Sequence, residues 1–530
     1  MITTNITTEM SKSAATIWFW SVVPTVAGLW VLLPFLFHAG YKTDVVEIQF
    51  LAKEWVIANH KHPMLPAWIL EAINVLTGRV FVAPFIVAAL CSIVTLFSVW
   101  RLARKVLSER LALIGTFVML PFWKITVESI NYNQNSVLIA CWALTMLLFY
   151  NAFQTNKKRW WIATGLTLGL GLHVKYPIVL LAVAVLLYTL RNPRLRRYWK
   201  ETGPWLTVSV AFVVFLPHLI WLAQTDFWST TSYAAKYGYV PEMPGIIAYF
   251  YYPIHGVLCA FGLILISPLL LLLPSLGRKW KIRQPESETE NEMLQYLLYC
   301  MAFPFLVISS VTLFGLKSSA AHTYPLWFVL GIYLLLRFQR QDGVDIFRRT
   351  LGWTSLAVFA MVIITIIYAV GAPYLRGTAG ALHFPMRELG EKCDEIWYSR
   401  FDTPCLYTTG GWFYAGNAAY AMRDRPTVHF YYDNIGDPNA LPTGTWSTDE
   451  DVNREGGIIL WGAPGLGIPD WVHNRFPRAE VLPEPLVLTY RFGDKIPPRK
   501  VGIAIVAPLH NESRGRNEVE QPEQPGVLAE

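Results

Sequence analysis

A chain of 530 residues that is 54% hydrophobic, only 15% charged and 14% aromatic, with a mean hydropathy of +0.35, is too apolar for a soluble or a disordered protein. It reads as a polytopic membrane protein. The net charge of +7 is spread over loops that face anionic lipid, so it gives no ground for a nucleic-acid partner.

The first 16 residues are polar and lack a cleavable-signal pattern, so the first apolar run reads as a signal anchor. Runs of the length needed to cross a hydrocarbon core fall near 17–37, 80–100, 110–122, 135–152, 160–173, 176–190, 203–223, 247–274, 293–314, 319–336 and 350–372, about eleven spans in all. The third and fifth are short. Alternate connections carry twenty basic residues on one side, from Arg101 through Arg349, and eight on the other: Lys42, Lys53, Lys61, Arg79, Lys124, Lys175, Lys236 and Lys317. The positive-inside rule then places the N-terminus in the cytoplasm and residues after Pro373 outside. Nearly all polar residues fit for chemistry fall on the outer side. That pattern describes an enzyme working at one face, since a channel or carrier places ionisable groups near the midplane.

The first outer connection runs from Tyr41 to Arg79. Val45, Ile48, Leu51, Ala52, Trp55 and Ala58 recur at helical spacing, and a second helix follows Pro63 with Leu65, Trp68, Ile69, Ala72 and Ile73. Two interfacial helices are therefore expected. Asp44 and Glu47, three apart, read on spacing alone as a capping box first, though a capping carboxylate can still point its free oxygen into a site. His60, Lys61 and His62 mark the connection between the helices. An H-x-H pair alone is too few ligands for a metal site, so phosphate or acceptor contact is the functional reading and packing of the connection the plain one.

In the second outer loop, WKITVESINYNQN, Glu128 is the one acid, with Asn133 and Asn135 just before the fourth span. Lys175 stands in a very short turn between His173 and Tyr176; snorkelling toward headgroups competes with a site role for it. The loop 224–245 mixes Asp226, Trp228, Lys236 and Tyr237, which suits sugar contact or an interfacial aromatic belt. Cys91, Cys141, Cys259 and Cys300 lie in apolar spans as small hydrophobes.

Beyond 373 charged residues return. A helix is expected over 385–397, another over 412–423, and strands over 405–408, 427–431, 457–461, 486–490 and 501–506, an external α/β domain of 373–510. Residues 511–530 read as a disordered tail. Cys393 and Cys405, twelve apart in an oxidising compartment, leave a disulfide open.

The stretch Asp44 to Trp68, with Lys61-His62-Pro63 and Pro66-Ala67-Trp68, resembles the first periplasmic loop of GT-C glycosyltransferases. It is closest to the bacterial branch of families 39 and 83, the protein-mannosyltransferase-like and lipid A aminoarabinose-transferase-like enzymes. Gly171–Pro177 and Lys317 with His322-x-Tyr324-Pro325 are similar too. The resemblance implies a GT-C-like helical membrane domain over 17–372 with an external α/β domain. It also implies transfer of a sugar from a polyprenyl-phosphate donor to a hydroxyl of lipid A, lipopolysaccharide core or another envelope glycan at the periplasmic face of a bacterial inner membrane. Asp44, with Glu47, occupies the catalytic acidic position. Lys175, Lys317, His255 and His322 would hold the donor phosphate. His60, Lys61, His62, Glu128, Asn133, Asn135 and Tyr237 would contact substrate. Many relatives have an aspartate where Asn133 and Asn135 stand here, which leaves a divalent metal open rather than required. A protein acceptor is the enzymatic alternative, and a lipid-linked-sugar transporter or flippase the alternative of another class.

Overall fold

The structure is a computed structural model. It describes residues 10–59, 61–227, 229–231, 280–310, 320–340, 346–430, 446–462, 469–491 and 495–509, with scattered positions between 251 and 273. In chain order the helices begin with α1 (Lys12–Phe37), α2 (Thr43–Lys53), α3 (Leu65–Thr77), α4 (Ala83–Ala103), α5 (Glu109–Phe117) and α6 (Gln134–Thr155). They continue with α7 (Lys158–Leu172), α8 (Ile178–Arg191), α9 (Pro193–Arg196) and α10 (Thr202–Gln224). After β1 (Trp280–Ile282) come α11 (Glu288–Ser310), α12 (Leu330–Arg337), β2 (Phe338–Arg340) and α13 (Ile346–Ile366). The rest comprises α14 (Ala372–Arg376), α15 (Met386–Tyr398), β3 (Tyr407–Gly410), α16 (Trp412–Ala421), β4 (Thr427–Phe430), α17 (Asp449–Glu455), β5 (Gly457–Gly462), α18 (Asp470–Arg475), β6 (Glu480–Val481), β7 (Leu486–Leu488) and β8 (Arg499–Val506).

Two compact units result: residues 1–37 with 57–368, and residues 38–56 with 369–530. The first is helical. Among the described residues six helices are long and apolar enough to cross a bilayer: Lys12–Phe37, Ala83–Ala103, Gln134–Thr155, Thr202–Gln224, Glu288–Ser310 and Phe347–Arg376. They coincide with six of the expected spans. The 176–190 stretch makes a seventh if α8 and the following Pro193–Lys200 segment, bent by 101°, count as one. Two other expected spans are broken. The 110–122 run yields only the nine-residue α5 before Pro121 and a string of turns, and 319–336 is a 3-10 segment, Ala320–Val329, leading into α12. Pro121 and Pro325 each lack the N–H that a continuous helix needs there. The 247–274 run lies largely outside the described residues.

Helix–helix contact in this unit uses small residues and stacked rings. Gly165 and Gly169, one turn apart on α7, let α10 approach so closely that a Cβ would sit 2.5 Å from the Thr207 carbonyl oxygen and 2.8 Å from Val214 Cβ. Phe19 of α1 stacks on Trp100 of α4 at 4.5 Å. Outward positions stay apolar, with Ile17 66% and Phe35 62% exposed, as lipid-facing surface requires.

The second unit is an α/β layer. Its sheet runs β4-β3-β5-β8-β6, with β7 also on β8; β3 is parallel to β4 and β5, and β8 is antiparallel to β5. The parallel strands are joined through α16 and α17, as a parallel pair demands a crossover. Val452, Ile459, Trp461, Val472, Phe476, Ala504 and Val506 form a core against the sheet. The helix and strand positions expected beyond 373 fall within a few residues of α15, α16, β3, β4, β5, β7 and β8. The short α17, α18 and β6 have no apolar run long enough to announce them.

The segment His38–Val56 belongs to this second unit rather than to the membrane helices. Val45, Val46, Ile48, Phe50 and Leu51 of α2 are buried, and Val46 and Phe50 lie against Gly416 of α16. The apolar stripe taken for an interfacial face is thus covered by protein; hydrophobic spacing does not distinguish lipid from a neighbouring helix. Cys393 and Cys405 are both buried and carry free thiols rather than a bond between them.

Candidate active site

In the second unit Asp44 and Glu47 lie on one face of α2, both half-buried. The helix begins one residue before Asp44, with Lys42 as N-cap and no side-chain cap bond, so the Asp-x-x-Glu pair does not form the capping box its spacing allows. Asp44 instead places its charge in the first turn, where the helix dipole favours an anion. The helix is pinned at both ends: Tyr41 Oη bonds Tyr420 Oη at 3.3 Å, and Lys53 Nζ donates to Thr427 Oγ1 at 3.2 Å.

In the helical unit the chain gathers polar groups around the N-terminus of α6. Asn133 caps it: its Oδ1 accepts from Asn135 N at 3.0 Å, and Ser136 Oγ accepts from Asn133 N at 3.3 Å. The same Oδ1 accepts from Lys124 Nζ at 3.3 Å, and that ammonium also reaches the carbonyl oxygens of Asn131 at 3.0 Å and Glu128 at 3.4 Å. Two residues on, Asn135 Oδ1 accepts from Lys175 Nζ at 3.1 Å. Lys124 is 1% exposed and Lys175 6%, so two ammonium groups are held in the protein by neighbouring asparagines. His322 lies within electrostatic reach of Lys175. Glu128 Oε1 accepts from Asn131 Nδ2 at 2.8 Å.

Main-chain and ring contacts fix the surrounding turns. The carbonyl oxygen of His173 accepts from Leu65 N at 3.1 Å, satisfying a first-turn donor of α3, and Tyr132 Oη donates to the Pro66 carbonyl at 2.7 Å. His173 Nε2 meets the Val214 carbonyl at 2.9 Å, and Tyr176 Oη meets His218 Nε2 at 2.9 Å. Lys61 and His62 occupy a tight turn in which Asn59 Oδ1 accepts from both their backbone N–H groups at 2.8 Å. This is a local Asx turn that carries the Lys61 and His62 side chains.

Of the residues singled out from sequence, Lys175, Asn133, Asn135, Glu128 and His322 come together in one unit, with Lys61 and His62 on their own turn, while Asp44 and Glu47 belong to the other. His60, His255, Lys317 and Tyr237 lie outside the described residues. Lys124 was passed over; its signal is an ammonium set in the apolar context Phe122-Trp123-Ile125. Among the described residues no group of three or more His, Cys, Asp or Glu is placed to hold a metal ion.

Comparison with known proteins agrees with this architecture. The dolichyl-phosphate-mannose-protein mannosyltransferase family model matches residues 61–221. The lipopolysaccharide core galacturonosyltransferase RgtA of Rhizobium johnstonii is 23% identical over 418 residues, 75% of this chain and 79% of that protein. RgtB of the same organism, also a lipopolysaccharide core galacturonosyltransferase, is 26% identical over 193 residues, 36% of this chain and 39% of that protein. Among solved structures, ArnT from Cupriavidus metallidurans bound to undecaprenyl phosphate superposes with a TM-score of 0.59 at 12% identity, covering 93% of this chain and 98% of that one. The chain is a multi-pass membrane protein with an ArnT-like fold, and it is similar to glycosyltransferases along three quarters of its length.

Proposed function

We propose that this protein transfers a sugar from a polyprenyl-phosphate donor to a hydroxyl of lipopolysaccharide core or lipid A, with inversion, at the periplasmic face of the inner membrane. The observation that carries the reading is the pair of buried ammonium groups, Lys124 and Lys175, tied to Asn133 and Asn135 at one helix N-terminus. In the reaction the acceptor oxygen attacks the anomeric carbon, the bond from that carbon to the phosphate oxygen breaks, and the lipid phosphate leaves with the bonding electrons. Lys175, assisted by His322, stabilises the charge that grows on that phosphate. Lys124 spends its donors on carbonyl groups and acts by holding Asn133 and by its charge. Asp44 takes the proton from the acceptor hydroxyl, and Glu47 supports it one turn along. Lys61 and His62 bind the acceptor or donor phosphate, and His60, His255, Lys317 and Tyr237 keep the roles given above.

Two relatives are lipopolysaccharide core galacturonosyltransferases, which favours lipopolysaccharide core as acceptor and a uronic acid as the sugar. Neutral Asn133 and Asn135 beside two lysines suit that anionic sugar, because a carboxylate there would repel it. The match over 61–221 to a family of protein mannosyltransferases favours the second reading, a protein acceptor. In this account residues 17–372 span the membrane with the N-terminus cytoplasmic, and the α/β unit with the helix carrying Asp44 works outside. The test is transfer by the purified chain from polyprenyl-phosphate galacturonic acid to lipopolysaccharide core, set against a protein acceptor. Label in protein alone would move the acceptor assignment, and no label in either would remove the transfer reaction.

A further inference from the structure

An apolar cavity in the helical unit lies away from the polar cluster, toward the other ends of α7 and α8. It lies between α6, α7, α8 and α10, has a volume of about 100 Å³ and opens to the outside as a crevice. Leu168, Leu181 and Val185 line it within α7 and α8, and Phe153, Tyr198 and Trp199 line it near the end of α6 and just past the end of α8, the level of its mouth in this account. Lys175 stands where α7 ends and α8 begins, whereas Tyr198 and Trp199 follow the far end of α8, so the mouth faces away from the candidate active site.

The mouth has the layering of a bilayer interface. Trp199 Nε1 donates to Thr189 Oγ1 at 3.1 Å, and Trp205 Nε1 donates to the Trp199 carbonyl at 3.1 Å, an aromatic collar at headgroup level. Around it Arg191, Arg196, Arg197 and Lys200 are exposed. Arg196 directs Nε to the Leu190 carbonyl, and Arg197 lies over the Tyr198 ring at 5.3 Å. Arg194 is already paired with Glu288 and Glu292, and Glu201 accepts from Asn156. An apolar slot, an aromatic collar and a cationic rim match an amphiphile with a hydrocarbon chain and an anionic head.

We propose that this cavity binds one anionic glycerophospholipid, an acyl chain lying along Leu168, Leu181 and Val185 and the headgroup phosphate meeting Arg191, Arg197 and Lys200. The full-length protein in detergent is titrated with phosphatidylglycerol or phosphatidylcholine of identical chains, and retained lipid is counted by native mass spectrometry. One phosphatidylglycerol is retained about 30- to 150-fold more strongly than phosphatidylcholine, as two or three nearby cations imply. Val185→Trp, which fills the slot, removes the retained lipid. Arg197→Glu with Lys200→Glu, outside the packed core, keeps one retained lipid but abolishes the preference for the anionic one. Equal retention of both lipids, or retention unchanged in Val185→Trp, would show annular lipid only and overturn the proposal. Displacement of the lipid by an equal concentration of polyprenyl phosphate, lost in Val185→Trp, would assign the cavity to the donor tail and overturn it as well.

Discussion

Lys175 donates from Nζ to Asn135 Oδ1 at 3.1 Å, and this bond joins the short turn between α7 and α8 to the first turn of α6. The amide carries no charge of its own, so this bond does not cancel the positive charge of the ammonium. Lys175→Met is expected to lower kcat/KM for sugar transfer by about 10²–10³-fold, the usual loss when a group stabilising developing charge is removed. Asn135→Ala, which removes this bond without deleting the ammonium, is expected to cost about tenfold or less. Transfer assayed with purified variants separates the two. Equal losses would mean that Lys175 acts through packing alone.

Asp44 sits in the first turn of α2 with its carboxylate half-buried. Asp44→Asn keeps the shape and removes the base, so kcat is expected to fall by about 10²–10⁴-fold with KM little changed. Thermal melting should move only slightly, since a charge near a helix N-terminus contributes about 0.3–1 kcal/mol. Full activity in this variant would remove Asp44 from the chemistry.

The seat of α2 is a glycine. A Cβ at Gly416 would fall 2.8 Å from Phe50 Cδ1 and 2.9 Å from Val46 Cγ1, inside any normal contact. Gly416→Val should therefore destabilise the second unit by about 1–3 kcal/mol through overpacking, read as a lower melting temperature of the full chain. An unchanged melting curve would show that α2 is not held as described.

Two histidines make the same unit sensitive to acid. Gly380 N donates to His383 Nδ1 at 3.1 Å while Nε2 faces the Ala369 carbonyl at 2.8 Å, so the ring is neutral with its proton on Nε2. Burial lowers the pKa of His383, and burial, then the charges of His383 and Lys42, push His38 from 6.5 down to about 3. The fold thus prefers both rings neutral. Their contribution is complete above the unfolded value of about 6.5 and declines as pH falls from there toward about 3. Melting temperature should drop between about pH 7.5 and pH 5, and His38→Gln should flatten the slope. A slope unaltered in that variant would exclude His38 as its source.

Burial raises the thiol pKa of both Cys393 and Cys405, which keeps them protonated and slow to react. Maleimide should label neither in the folded protein and both after denaturation without reductant, seen as added mass on the peptides that carry them. Protection that persists after denaturation would show a disulfide.

The fold class was legible because its signals are long: apolar runs of bilayer length announce α1, α4, α6, α10 and α11, and alternating strand and helix patterns announce the sheet unit. What was not legible depends on which partner covers a surface. The stripe Val45, Ile48 and Leu51 on α2 has the same spacing whether lipid or protein lies against it, and here it is buried. The nine-residue α5 and the 3-10 segment at 320–329 look like spans in sequence, and proline does not set them apart, since Pro24, Pro217 and Pro304 lie inside continuous helices. At the site, Lys175 was visible as a cation in a short outer turn, and Asn133 and Asn135 as amides at a helix start. Lys124 was not, because its significance comes from three acceptors at Glu128, Asn131 and Asn133, a local fold of the loop that no periodicity encodes.

The central claim is that this protein adds a sugar to lipopolysaccharide with Asp44 as base and Lys175 at the leaving phosphate. It is tested most directly by mass spectrometry of lipopolysaccharide core and lipid A from host cells lacking the protein, complemented with wild type, Asp44→Asn or Lys175→Met at matched expression. The account predicts loss of one uronic-acid mass in the deletion, restored by wild type and by neither variant. An identical glycolipid profile in all four strains would contradict it.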